Sequence, residues 1–185
     1  GSDTGGSVRH PASMCNLAGI KPTYGRVSRA GVVPLSFSLD NVGPLTRTVE
    51  DNAIMLTAIS GHDPRDPASA RAEATDFTAD LDKGVKGMKI GLVRHFYETD
   101  LKAQAEMAAS IDAAAETLRK LGAAVEEVEM SPLSEYAAVN RVILLSEAFA
   151  IHEKWLQERP EDYAHFTRER LMPGAFIRAT HYVQA

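Results

Sequence analysis

The residues most able to do chemistry stand at the start of the chain, in GSDTGGSVRHPA over residues 1–12. Three glycines, two serines, a threonine and the Asp3/Arg9 pair crowd into that stretch. Each glycine costs backbone entropy on folding, so such density implies a main chain that must approach something closely. A run of glycines and small hydroxyl residues can turn consecutive N–H groups toward one point and hold an anion there. Two anions fit: a phosphate, or the oxyanion formed when a nucleophile adds to an acyl carbon.

The phosphate version lacks its usual companion. A nucleotide-type phosphate loop ends in Gly-Lys-Ser/Thr, whereas Gly6 is followed by Ser7 and Val8, and the first lysine is Lys21. The oxyanion version has its nucleophile in place, because Ser7 directly follows the glycine pair. The N–H groups beside it would receive the developing charge, and losing one such donor typically costs about 3 kcal/mol of transition-state stabilisation. A serine also needs a base for its proton, and no residue pattern in this chain supplies one. A third reading keeps the nest as a non-catalytic anion-binding module.

Other candidates are weaker. Cys15, the one cysteine, sits among small and apolar neighbours and reads as a packing residue. A single cysteine excludes an internal disulfide and fits a reducing, cytoplasmic setting. The histidines at 10, 62, 95, 152, 165 and 181 show no metal spacing, and His152-Glu153 lacks a second histidine four residues on. Neither a metal nor a cofactor is expected. The net charge of −5, with no basic stripe, argues against a nucleic-acid surface. No apolar run approaches the ~20 residues that cross a bilayer, so no membrane partner is expected.

Asp3-Thr4-Gly5-Gly6-Ser7-Val8-Arg9-His10-Pro11-Ala12 resembles the second half of the amidase signature, Asp-x-Gly-x-Ser-aliphatic-Arg-x-Pro-small. The similarity to the amidase signature family continues through Cys15, Gly19-Ile20-Lys21-Pro22-Thr23, Gly25-Arg26-Val27-Ser28, Ser38-Leu39-Asp40, Gly43-Pro44 and Thr46-Arg47-Thr48-Val49-Glu50-Asp51. Gly61-His62-Asp63-Pro64 has the same look. The resemblance implies that Ser7 is the acyl-forming nucleophile and that the N–H groups of Thr4, Gly5, Gly6 and Ser7 form the oxyanion hole. It makes Asp3 and Arg9 a structural pair bracing the loop. It also implies a Ser–cisSer–Lys triad whose serine relay and lysine precede these residues, so the polypeptide as written is expected to be inactive alone.

Two activities share that chemistry. One is a free-standing amidase that releases ammonia or an amine from a small carboxamide. The other is the A subunit of the tRNA-dependent amidotransferase, which makes ammonia from glutamine and works with B and C subunits. The A subunits usually carry Tyr-Asp-Gly-x-Arg-Tyr-Gly after the crossover, where this chain reads EAFAIHEKWLQERPEDYAHF, which favours the free-standing hydrolase. The substrate and the oligomeric state, a homodimer included, stay open.

Elements must position these residues. At 185 residues, 44% hydrophobic and 24% charged, the chain has the composition of a globular domain. Residues 1–61 read as a signature segment of turns with short β-type runs at Arg26–Ser28 and Val32–Val33. Thr48, with Asp51 three residues on, starts a helix whose face is Val49, Ala53, Leu56 and Ile59, with Gly61 as its stop. Residues 62–87 are a loop. Residues 88–130 form strand, helix and strand: MKIGLV, then 101–121 with Met107, Ile111, Ala114, Leu118 and Leu121 in a stripe, then AAVEEVEM. That order predicts a right-handed parallel crossover. Residues 131–185 are helical, with a long helix over 135–157 whose Tyr136, Val139, Val142, Ile143, Phe149 and Trp155 are expected to pack in the core. Pro160 ends it, and two shorter helices follow, the last of which borders the family's substrate region. The expected fold is therefore α/β, a mixed sheet flanked by helices in one amidase domain. Beginning inside its densest motif and stopping at HYVQA, the chain reads as truncated at both ends.

Overall fold

A computed structural model describes residues 1–72 and 75–185. The fold is α/β, and the chain gathers into two compact units: residues 1–79 with 140–185, and residues 80–139. Residues 73 and 74 of the expected 62–87 loop lie outside the described residues.

In the first unit, two short antiparallel ladders frame the opening segment. Strand β1 (Ser2–Asp3) pairs with β3 (Asn41–Val42), and β2 (Ala18–Gly19) pairs with β4 (Leu45–Thr46). Helix α1 (Arg9–Met14) lies between β1 and β2 in the chain. The ladders meet at the 43–44 corner, where a Cβ on Gly43 would stand 2.0 Å from the Ile20 carbonyl oxygen. Only glycine lets the two backbones approach that closely.

Helix α2 (Val49–Ile59) begins as expected: Thr48 Oγ1 accepts from the Asp51 N–H at 3.0 Å. Its buried face differs from the apolar stripe. Val49 is 67% exposed, while Asn52 is buried beside Ala53 and Leu56. The reason is polar: Asn52 Nδ2 donates to the Ala18 carbonyl at 2.9 Å and to Thr46 Oγ1 at 3.1 Å, stitching α2 to both strands of the second ladder. The expected strands at Arg26–Ser28 and Val32–Val33 do not form; Val27 makes one isolated bridge to Ser60. Side chains supply the partners there instead. Ser28 Oγ donates to Asp63 at 2.8 Å, and the Arg29 N–H donates to Asp66 at 2.8 Å.

Helix α4 (Leu133–Glu158) runs into this unit and is followed by α5 (His165–Leu171) and α6 (Ala179–Gln184), matching the one long and two short helices expected. Ala148 and Leu156 of α4 pack with Leu171 of α5, flanked by Leu35, Leu144, Phe149 and Tyr163. The inward row of α4 is Glu147, Ala148, His152 and Leu156; of the six large side chains expected in the core, Tyr136, Val139 and Trp155 are exposed. His152 is a clamp. Its Nε2 lies 3.0 Å from the Pro34 carbonyl, which can only accept, so Nε2 carries the proton and Nδ1 accepts from the Tyr163 hydroxyl at 2.8 Å.

In the second unit, β5 (Lys89–Leu92) and β6 (Ala124–Glu127) pair in parallel, joined through α3 (Ala105–Lys120). The helix buries Ala115, with Ile111 and Leu118 half-buried, whereas Met107, Ala114 and Leu121 face outward. Ile111 and Leu118 of the expected stripe thus turn inward, with Ala115 between them in place of Ala114. Arg94 ties the crossover together, donating to Glu127 at 2.7 Å, Asp112 at 2.7 Å and Glu98 at 3.0 Å.

Candidate active site

The loop from Asp3 to Arg9 is organised around one carboxylate. Asp3 is fully buried and ends β1, so its side chain faces back into the turn that follows. Its Oδ1 accepts from the Gly6 N–H at 2.7 Å and from Arg9 Nη2 at 3.0 Å. Its Oδ2 accepts from Arg9 Nε at 3.0 Å, the Val8 N–H at 3.2 Å and the Arg9 N–H at 3.3 Å. Burial opposes ionisation, but the Arg9 fork and the three backbone donors outweigh it and hold Asp3 near pKa 2. The expected bracing pair is thus in contact, and it braces by drawing the chain into a ring.

That ring has a consequence for the donor set. Gly6, expected among the oxyanion donors, turns its N–H toward Asp3, which removes it from the set. Gly6 has φ +125°, a conformation that side chains rarely adopt, and the turn toward the carboxylate uses it. Among the described residues, the N–H groups of Thr4, Gly5 and Ser7 donate to no protein acceptor. Ser7 is exposed, and no base among the described residues is hydrogen-bonded to its hydroxyl. An exposed hydroxyl beside unspent N–H groups can add to a carbonyl carbon whose oxygen those groups then hold.

Thr4 is fixed from two sides. Its Oγ1 donates to Asp40 Oδ1 at 2.6 Å, and its carbonyl receives Asn140 Nδ2 at 3.5 Å. A Cβ on Gly5 would meet Asn140 Oδ1 at 3.5 Å and Leu144 at 3.7 Å, so α4 overlies the glycine. The motif containing Asp40 was legible in Ser38-Leu39-Asp40. Asn140 had no sequence signal, because a polar residue early in a long helix is ordinary. Cys15, expected to pack inside, is exposed: it follows the last turn of α1, beyond that helix's buried Ala12. No three His, Cys, Asp or Glu side chains gather as a metal set among the described residues.

The family described as Amidase matches residues 1–179. An amidase of Pseudomonas putida is 44% identical over 186 aligned positions, covering all of this chain and 40% of its own length. The A subunit of the glutamyl-tRNA(Gln) amidotransferase of Staphylococcus saprophyticus is 40% identical over 205 positions, covering all of this chain and 42% of its own. A solved chain from a vestigial protein complex that bears on the origins of an s-triazine catabolic enzyme superposes with TM-score 0.88 at 34% identity, over all of this chain and 39% of its own. The chain spans about two fifths of the length of these relatives. Since it has 185 residues, the alignment with the amidotransferase protein leaves 20 positions unmatched here and that with the amidase leaves one.

Proposed function

Because this chain belongs to the amidase family, we propose that it carries the nucleophile and oxyanion donors of a serine amide hydrolase. Ser7 Oγ adds to the carbon of a small carboxamide, and the N–H groups of Thr4, Gly5 and Ser7 hold the oxygen that becomes negative. Collapse of this intermediate breaks the C–N bond and releases ammonia or an amine, which takes up a proton as it leaves. Water then cleaves the acyl-serine, giving the acid and restoring the hydroxyl. Asp3 and Arg9 keep the loop in shape and move no proton. The proton acceptor for Ser7 is assigned outside the described residues, in keeping with the serine–lysine relay that the signature resemblance implies.

One observation carries the reading: an exposed hydroxyl directly beside N–H groups left unspent by a loop whose other amides are claimed by Asp3. A fluorophosphonate probe tests it in the intact protein. The probe is expected to label Ser7 stoichiometrically, and the Ser7→Ala protein is expected to stay unlabelled. A non-catalytic anion site predicts no labelling in either.

A second reading, the ammonia-producing A subunit of an amidotransferase, is supported by the 40% identity to such a protein. The alignment with the amidase, which leaves one position unmatched here, favours the free-standing hydrolase, since the 20 extra positions of the amidotransferase protein have no counterpart here. Under the second reading the intact protein would hydrolyse the side-chain amide of glutamine, releasing ammonia and glutamate, and need B and C partners. No helix among the described residues is long and apolar enough to cross a membrane.

A further inference from the structure

Two buried carboxylates behind the nest have no cationic partner. Asp40 and Glu147 are each 6% exposed, and neither takes part in an ion pair among the described residues. Burying a carboxylate without a cation costs several kcal/mol unless hydrogen bonds compensate fully. Both are compensated, and by the same short turn. Asp40 Oδ2 accepts from the N–H groups of Leu35 at 2.8 Å and Ser36 at 2.9 Å. Glu147 Oε2 accepts from the Ser36 hydroxyl and from the Ser38 N–H at 2.9 Å. Its Oε1 accepts from Ser38 Oγ at 2.8 Å and from the Tyr182 hydroxyl at 2.6 Å.

Ser36, fully buried, therefore bridges the two acids, giving its N–H to Asp40 and its O–H to Glu147. The other oxygen of Asp40 receives Thr4 Oγ1 at 2.6 Å. A continuous path runs from α6 through Glu147 and the 36–38 turn to Asp40 and Thr4, one of the proposed oxyanion donors. A leucine at 147 would fill the space at lower desolvation cost, so packing alone does not account for the carboxylate. Four donors on two oxygens instead fix the turn in position and orientation. Burial opposes ionisation of Glu147, yet the Ser36, Tyr182 and Ser38 donors outweigh it and hold its pKa below the ordinary value. Both oxygens thus stay acceptors.

We infer that Glu147 is a positioning residue for the nest: it holds the 36–38 turn that presents Asp40 to Thr4, and so sets the direction of the Thr4 and Gly5 N–H groups. The inference rests on reading that nest as an acyl-transfer site, although the coupling itself can be measured without that reading.

The test uses the intact protein with Glu147→Ala, Glu147→Gln and Ser38→Ala, read by the amide NMR signals of Thr4 and Gly5 and by fluorophosphonate labelling. Glu147→Ala is expected to shift both signals, slow labelling by about ten- to a hundredfold and lower kcat alike, with KM within about threefold. Glu147→Gln is expected to recover most of the rate. Its carbonyl can accept from Ser38 N–H while its NH2 donates to the Ser38 and Tyr182 hydroxyls. Should Glu147→Ala fail to fold, Ser38→Ala removes a single bond and is expected to give the same signal shifts with a several-fold slower rate. Changes confined to residues 36–38 and α6, with Thr4, Gly5 and the labelling rate unmoved, would overturn the inference, as would a glutamine variant as slow as alanine. An unlabelled wild-type protein would contradict the serine assignment instead, while the NMR signals still decide the link from Glu147 to Thr4.

Discussion

Ser7→Ala in the intact protein is expected to lower amide turnover about ten-thousandfold or more, while leaving the unfolding free energy within about half a kcal/mol of wild type. The two halves of that expectation come from the same geometry. Ser7 is exposed, so its hydroxyl contributes little to packing. The loop around it is held by Asp3 and by Thr4's link to Asp40, neither of which involves the serine side chain. Loss of the proposed nucleophile is therefore expected to remove the covalent route and spare the scaffold. Substrate is still expected to bind, because the donors of Thr4, Gly5 and Ser7 belong to the main chain. Ammonia release followed against denaturant melting on the same preparations checks both halves. A variant that keeps a tenth of the wild-type turnover would remove Ser7 from the mechanism.

Asp3→Asn is expected to do the opposite, damaging scaffold and rate together. An amide at that position can present its oxygen to only one side of the ring. Its NH2 would then face either the Gly6 N–H and Arg9 Nη2, or the Val8 and Arg9 N–H groups and Arg9 Nε. Setting donors against donors in a fully buried position, and stranding Arg9, is expected to cost about 3 kcal/mol or more. Turnover is expected to fall about a hundredfold as the nest loses its shape.

The same carboxylate sets an acid limit. Its pKa lies below the ordinary value of 3.8, at about 2, so its contribution is fully present above about pH 4 and disappears as the pH falls from there toward 2. Urea midpoints measured from pH 6 down to pH 2 are expected to decline along this limb in the wild type and to be flatter in Asp3→Asn. Parallel declines in the two proteins would show that Asp3 is not the group responsible.

The parts of this molecule that follow from local rules were legible in the sequence. Thr48 and Asp51 announced the start of α2, Pro160 the end of α4, and the strand–helix–strand order of MKIGLV, residues 101–121 and AAVEEVEM the parallel pair. The two-residue ladders of the first unit were not legible, because strands that short have no periodicity to detect. The motif located Asp3, Ser7 and Arg9 but not the direction of Gly6's N–H, which depends on a carboxylate three residues back rather than on glycine itself. Asn52 inside an apolar stripe and Glu147 inside LLSEAFA became intelligible only through their partners. Those partners lie 34 residues from Asn52, at Ala18, and up to 111 residues from Glu147, at Ser36. Polar groups buried across such separations obey hydrogen-bond satisfaction, which no window of sequence displays.

The most direct measurement is mass mapping of the intact protein, quenched in acid during turnover of a carboxamide. The account predicts the acyl mass on the peptide that contains Ser7, lost on treatment with hydroxylamine and absent from Ser7→Ala. Steady turnover with no acyl mass on that peptide, under conditions where acylated standards survive the quench, would contradict it.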